Sequence, residues 1–344
     1  MTTLLLHAPA LEHTKRGHPE NSARLAGILP ALERFGLLDD LAIVGPEPAT
    51  NDQLRRVHTQ GLIDFVRMIC RQGGGLLDAG DTYATAQSYD LACLAAGSGC
   101  LAVDHIMRGH ARNGFSVIRP PGHHAEIDHA GGFCLFNNVA VAARHAQFEY
   151  GVERVFILDI DVHHGNGTQD IFYEDNTVFF ISMHLLAPYF YPGIGTLHEV
   201  GTRRGNGYTV NVPFPPGVGD MGYLRIWNEV LVSLVRKFQP QLILVSAGYD
   251  AHWQDPLAMA RMSLTGYALL ARSIVELAEE LCEGRLLFVL EGGYQINVLT
   301  LGIANTFSAL LGQDLIRDPY GINTAPERDI SNLLEALSQR DLPN

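Results

Sequence analysis

Basic residues are scarce in this chain of 344 residues. Its 24 Lys and Arg stand against 37 Asp and Glu, for a formal net charge of −13. That deficit excludes the basic footprint of a nucleic-acid binder, whose affinity comes largely from neutralising phosphates. It leaves room for long-range steering of cationic substrates. Cysteine is sparse as well: five lie scattered at 70, 93, 100, 134 and 282, with no C-x-x-C pair. A thiolate zinc site and a disulfide scaffold are therefore not expected, and a reducing, cytoplasmic interior is. No basic segment precedes the short apolar run at residues 4–6, so the N-terminus does not read as a signal peptide. No apolar run approaches the length of a membrane span, which argues against a membrane partner. Internal repeats, low-complexity segments and long polar linkers are missing too.

What is present is a 47% hydrophobic content with modest charge, the composition of a soluble globular core. Apolar strands, polar loops and amphipathic helices alternate. Strands are expected at residues 4–7, 41–44, 115–118, 154–160, 177–182, 208–212, 241–246 and 286–290. Helices are expected at 22–35, 53–71, 89–108, 138–150, 223–238, 265–283 and 298–311, with Pro30 kinking or ending the first. Several strands are continuous apolar runs, as strands covered on both faces should be. The pattern implies βαβ units in an α/β fold with a mostly parallel sheet between helical layers. The length fits one domain over 1–344, with the charge-richer tail 314–344 as a surface extension.

Four expected strands run straight into unusual polar chemistry. Residues 115–118 lead into Arg119-Pro120-Pro121-Gly122-His123-His124, and 154–160 into Asp161-Val162-His163-His164. Residues 241–246 lead into Ala247-Gly248-Tyr249-Asp250, and 286–290 into Glu291-Gly292-Gly293-Tyr294. In a parallel sheet the carboxyl ends share one edge, so these clusters should meet on one rim. Each alone is ordinary turn chemistry; their coincidence is not.

Asp159, Asp161 and His163 would project from one face if extended geometry persists that far. Two carboxylates and an imidazole at a buried strand end are costly to desolvate without a cation. Asp/His donors suit zinc, and also manganese or iron. Asp250 would be the third protein ligand beside Asp161 and His163, and three ligands with a vacancy for water is the catalytic arrangement. His123 and His124 follow a rigid Pro-Pro turn and can carry protons near neutrality. Tyr294 follows a flexible turn and could donate to an oxyanion. The stretch from Gly131 through Gly132, Phe133 and Cys134 to Asn138 reads as the wall of a narrow channel, with Asn137 or Asn138 capping the next helix. Tyr191 is a second channel aromatic. Cys134 lacks an evident activating partner.

Together the segments HPENSARL (18–25), RPPGHHA (119–125), GGFCLFNN (131–138), LDIDVHHGNGTQ (158–169), ISMH (181–184), YPG (191–193), SAGYDAHWQDPLA (246–258) and LEGGY (290–294) resemble the histone deacetylase and acetylpolyamine amidohydrolase family, which shares its fold with arginase. The resemblance implies one three-layer α/β/α domain with an eight-stranded sheet. It implies one Zn2+ held by Asp161, His163 and Asp250, and hydrolysis of acyl amides such as N-acetyl-lysine. His124 would activate water and protonate the leaving amine, with His123 as its electrostatic partner and Asp159 orienting His123. A structural K+ would sit near Asp159, Asp161, His163, Ser182 and Met183. Asn166 stands where the best-known eukaryotic branch has Asp, and Asn is the class II pattern. Phe133 and Tyr191 would flank the acyl-lysine stem, with Gly132 in the same wall. Asp81 would be the rim carboxylate. Acetylpolyamine enzymes place an acidic residue after the Asp-Pro pair; Leu257 stands there, which favours acetylated lysine of a peptide or protein over an acetylated small amine. A binuclear manganese ureohydrolase would need a further bridging aspartate where Asn166 stands, and a non-catalytic binding module would not need the full set.

Overall fold

The computed structural model describes residues 2–342. Met1 and the last two positions of the expected C-terminal extension lie outside the described residues. Among the described residues ten strands form, eight of them in one sheet: β1 (Thr3–Ala8), β2 (Leu41–Val44), β5 (Asn113–Ile118), β6 (Val155–Asp159), β7 (Val178–Leu185), β8 (Thr209–Phe214), β9 (Leu242–Ala247) and β10 (Leu286–Leu290). The other two, β3 (Gly74–Leu76) and β4 (Tyr83–Thr85), pair as a small antiparallel hairpin. The sheet order is β2-β1-β5-β10-β9-β6-β7-β8, and every pairing is parallel. All eight strand positions expected from the apolar runs are strands, within a few residues at each end.

The central strands β6 and β10 are almost wholly apolar because both their faces are covered. On β6, Phe156 and Leu158 join one buried cluster while Val155 and Ile157 join the other. On β10, Leu286, Phe288 and Leu290 alternate in the same way with Leu287 and Val289. Helices Leu264–Cys282 and Ile296–Leu310 cover the first face; Ser88–Met107 and Asn138–Tyr150 cover the second. The result is three layers.

Several helices differ from expectation. The segment 22–35 divides into Ala23–Ala26 and Ile28–Arg34, and the break falls at Gly27, not at Pro30. Pro30 lies in the first turn of the second piece, where a missing N–H breaks no helical hydrogen bond. Residues 53–71 divide into Asn51–Arg55 and Gln60–Arg71, because Thr59 caps the second helix through Leu62 N. The helix over 223–238 begins earlier, at Asp220, and contains a π turn at Trp227–Leu231. Ser88–Met107 is long and apolar enough to cross a membrane by length and composition, which corrects the reading of the apolar runs. Most of it is buried in the second core. Two short helices that were not expected also form, Asn166–Phe172 and Ser331–Ser338; the second carries a helical apolar spacing at Ile330, Leu333, Leu334 and Leu337. Beyond residue 314 the chain returns to the first layer, where Glu327 accepts from Gly219, Met221 and Gly222 N–H and Leu337 is buried.

Candidate metal centre and active site

The register sets the carboxyl ends of β6, β9 and β10 side by side: Asp159 pairs with Ser246, and Ala247 with Leu290. Beyond these ends the loops are tied by carboxylates. Strand β6 stops at Asp159, so extended geometry does not carry Asp161 and His163 onto one face. A curled loop does so instead. Asp161 N donates to Asp159 Oδ1 (3.1 Å), and His163 N to Asp161 Oδ1 (2.9 Å). Across the sheet, Val162 N donates to Asp250 Oδ1 (2.9 Å) and Gly292 N to Asp161 Oδ2 (2.8 Å). Gly292 allows this approach, because a Cβ there would meet Asp161 Oδ2 at 2.5 Å.

Asp161, His163 and Asp250 offer ligand atoms that all lie within 4.8 Å of one another. His163 Nδ1 faces Asp161 Oδ1 at 3.1 Å and Asp250 Oδ2 at 3.2 Å. Both carboxylates are wholly buried. Burial opposes a charge on His163, but the two carboxylates outweigh it and push the ring up to about 10. Burial and the charge of Asp161 push Asp250 up. A proton shared by two buried carboxylates marks a place that favours positive charge, and the donors suit a divalent metal. His163 would then bind as neutral imidazole, releasing its proton.

Beside this cluster stand the two histidines, with ring centroids 4.0 Å apart. His123 Nδ1 meets Asp159 Oδ2 at 2.9 Å. His124 Nδ1 meets Asn166 Oδ1 at 2.7 Å. Their environments diverge. Burial disfavours charge on His123, but Asp159, Asp161 and Glu291 outweigh it and push the ring up to about 10. Burial, then the charges of His123 and His163, hold His124 well below the usual histidine range. The two adjacent rings are thus pushed in opposite directions by their surroundings.

Tyr294 is held from below. Its N–H donates to Asp255 Oδ2 (2.7 Å), and the Arg24 guanidinium lies 5.0 Å from its ring centroid. Phe133 meets Tyr294 edge-on at 6.0 Å, and Tyr191 meets His124 edge-on at 4.9 Å. Gly132, at φ +53°, lies against the His124 ring, where a Cβ would overlap it. Leu257 is part-exposed, and its N–H shares the Asp255 carboxylate with Tyr294. Asp81 is exposed; among the described residues its one close partner is His18 Nε2 at 3.9 Å, and His18 packs edge-on against Phe133. Ser182 is the register partner of Asp159 and bonds His184 Nδ1 (2.9 Å), while Met183 is buried on β7. Asn137 caps its helix through Ala140 N. Cys134 is buried, and burial pushes its thiol well up, away from a thiolate.

Sequence reasoning missed the supports. Glu291 accepts from Gly122 N (2.6 Å) and His123 N (3.1 Å), which fixes the Pro-Pro-Gly-His turn. Burial pushes this carboxyl up to about 7. Arg24 donates to Gly293 O and Glu291 O, and Arg119 donates to Pro9 O, Ala10 O and His13 O. The buried Glu20 joins both guanidiniums. Phe190 stacks on His163 at 4.9 Å, with ring planes 4° apart. Position alone hinted at two of these: Glu291 directly follows a strand, and Phe190 adjoins Tyr191.

A family model described as Histone deacetylase domain matches residues 18–310. The chain is 40% identical to "Histone deacetylase 10, chloroplastic" of Oryza sativa subsp. japonica, over 95% of this chain and 78% of that protein. It is 40% identical to a "Probable deacetylase" of Archaeoglobus fulgidus, over 95% of this chain and 91% of the other. It is 35% identical to a "Histone deacetylase-like amidohydrolase" of Pseudomonas aeruginosa, over 93% of this chain and 81% of the other. The crystal structure of the HDA15 HD domain superposes with a TM-score of 0.88 at 35% identity, covering 98% of this chain and 94% of that one.

Proposed function

This chain belongs to the histone deacetylase family and is a hydrolase of amides, and on that premise we propose that it removes acetyl, or a related acyl group, from the ε-amine of lysine in peptides or proteins, using one zinc ion. The observation that carries the reading is the convergence of Asp161, His163 and Asp250 beside His124, whose Nδ1 faces Asn166 Oδ1 at 2.7 Å. Those three side chains would hold the metal. When bound, it supplies a Lewis acid that polarises the amide carbonyl and acidifies water.

The chain's own groups do the rest. His124 Nδ1 is committed to Asn166 Oδ1, so Nε2 is the free base. It takes the proton of the attacking water. As the water oxygen bonds to the carbonyl carbon, Tyr294 donates to the oxyanion that forms on the carbonyl oxygen. The imidazolium on His124 then protonates the departing amine, and the carboxylate product leaves. The cationic His123, fixed by Asp159, places positive charge next to the developing negative charge. Phe133 and Tyr191 would line the stem of the substrate, and Asp81 would serve at the rim. A structural potassium at Asp159, Asp161, His163, Ser182 and Met183, and a cytoplasmic setting for five buried, unpaired thiols, complete the proposal.

Lysine-type substrates are favoured over acetylpolyamines because Leu257 gives a second ammonium no carboxylate to pair with. The zinc-loaded protein should be compared on acetyl-lysine peptides, acetylputrescine and acetylspermidine. Faster turnover, as kcat/KM, of acetylspermidine than of several acetyl-lysine peptides would reject the lysine assignment. Hydrolysis of none would reject the deacylase reading.

A further inference from the structure

Asn166 has a second partner that the deacylase reading leaves unused. Its Nδ2 donates to Glu126 Oε1 at 2.7 Å, while its Oδ1 faces His124 Nδ1 at the same distance. Three groups therefore stand in series: carboxylate, amide, imidazole. Resting on the deacylase reading, we propose that Glu126 is a positioning residue which locks the Asn166 amide in one orientation and thereby fixes His124 as the Nδ1–H tautomer.

Hydrogen-bond polarity imposes the order. A carboxylate can only accept, so the side of Asn166 that faces Glu126 must be its NH2. Turning the amide over would set its carbonyl oxygen against a carboxylate oxygen, two acceptors at contact. With NH2 committed to Glu126, Oδ1 is what His124 meets. An acceptor at that position requires a proton on Nδ1. Nε2 is left unprotonated and able to accept a proton. Without Glu126 the amide is free to turn, and its NH2 would hold His124 in the opposite tautomer, with the proton on the nitrogen that must act as base.

Glu126 is placed for this by its backbone. Its N–H donates to His129 O (2.9 Å), and its carbonyl accepts from His58 Nδ1 (2.9 Å). The next residue, Ile127, donates to Asp170 Oδ2 (3.1 Å) and accepts from Thr59 N (2.9 Å). Asp170 belongs to helix Asn166–Phe172, the helix that carries Asn166. The turn bearing Glu126 and the helix bearing Asn166 are thus fastened to each other independently of the amide. Among the described residues no Lys, Arg or His forms an ion pair with Glu126, so the side chain is not engaged in a competing surface pair.

The same geometry accounts for an amide at position 166. An aspartate there would set two carboxylates within hydrogen-bond distance with no proton between them. Positions 126 and 166 accommodate one carboxylate and one amide, in either order. When Glu126→Gln is combined with Asn166→Asp, the order is reversed: the amide at 126 donates to the carboxylate at 166. That carboxylate still accepts from His124 Nδ1–H.

Two readouts test this on the zinc-loaded full chain. In the first, kcat/KM on an acetyl-lysine peptide is measured for Asn166→Asp, Glu126→Gln and the double variant. Asn166→Asp should lose about tenfold or more, and adding Glu126→Gln should recover it to within about threefold of wild type. Losses that simply multiply would overturn the proposal. In the second, long-range 1H–15N correlation on histidine-labelled protein reports the His124 tautomer, with the resonance assigned by its loss in His124→Ala. Wild type should show protonated Nδ1 and bare Nε2, and Glu126→Ala should show a mixture or the reverse. A pure Nδ1–H tautomer in Glu126→Ala would overturn the lock. Because the tautomer is read without turnover, failure of the lock and failure of the deacylase reading are separate results.

Discussion

At the scale of single residues, identical side chains are driven to opposite states by their neighbours. Two adjacent histidines share a turn, yet one faces Asp159 and the other an amide. Against its burial, Asp159 and its neighbouring carboxylates favour a proton on His123, whereas burial and the charges of His123 and His163 disfavour one on His124, which makes His124 the candidate base. The donor set depends on each member. Asp250→Asn or His163→Ala should sharply weaken metal binding if Asp161, His163 and Asp250 are the proposed donors, since each variant removes one of the three. Metal content after dialysis checks this, and unchanged stoichiometry and affinity in both variants would reject the ligand set. Tyr294→Phe should keep metal and fold but lose about 10²–10³ in kcat, the usual scale for one oxyanion donor. KM should move little if, as proposed, the hydrogen bond forms mainly in the transition state. A kcat near that of wild type would remove the phenol from the mechanism.

At the scale of elements, the site is a set of loops hung from strand ends and tied sideways by carboxylates. Glu291 at the end of β10 holds the turn after β5, and Asp250 after β9 holds the loop after β6. Asp255 is the corresponding tie for Tyr294, since it accepts from Leu257, Tyr294 and Gln295 N–H. An alanine there leaves three buried or half-buried donors without an acceptor. Asp255→Ala should therefore cost about 1–3 kcal/mol of stability and lower kcat more than it raises KM, because the phenol loses its placement while the substrate channel persists. Calorimetry and steady-state kinetics on the same preparation check both. A drop in stability with kcat unchanged would make Asp255 a structural tie only.

At the scale of the whole molecule, buried neutral histidines couple the fold to pH. His58 donates from Nδ1 to Glu126 O and accepts at Nε2 from Asn137 N–H (2.8 Å), so a second proton on the ring would face a donor. Burial pulls this ring down to about 4 from an ordinary value of 6.5. Between these values the unfolded chain binds a proton that the folded chain refuses. Stability from His58 is thus fully present above pH 6.5 and is lost as pH falls through 6.5 towards 4, by on the order of 3 kcal/mol. His184, also buried and held down to about 4, acts in the same direction. Unfolding midpoints between pH 7 and 4.5 should fall steeply for wild type. His58→Gln should be less stable at pH 7 and decline more gently. Parallel slopes for the two proteins would exclude His58 as a contributor.

Local pattern was enough to locate the eight parallel strands, because strands covered on both faces are largely apolar and that shows as an apolar run. It also singled out Asp161, His163 and Asp250, which the fold brings together as a candidate metal site, since carboxylates and an imidazole are costly to bury at strand ends without a cation. Helix breaks at Gly27 and Thr59 were not legible: amphipathic periodicity runs through both, and packing decides where the backbone turns. The supports were not legible either. Glu291 reaches Gly122 across 169 residues of chain, and Arg24 reaches Gly293 across 269. Such pairs exist only because the sheet order sets β5 beside β10 and β10 beside β9. Strand order follows from how helices pack on the two faces and how crossovers close, and no short stretch of sequence encodes that. The residue types able to do the chemistry were therefore set locally, while which nitrogen, which carboxylate and which amide face one another was decided by the tertiary fold.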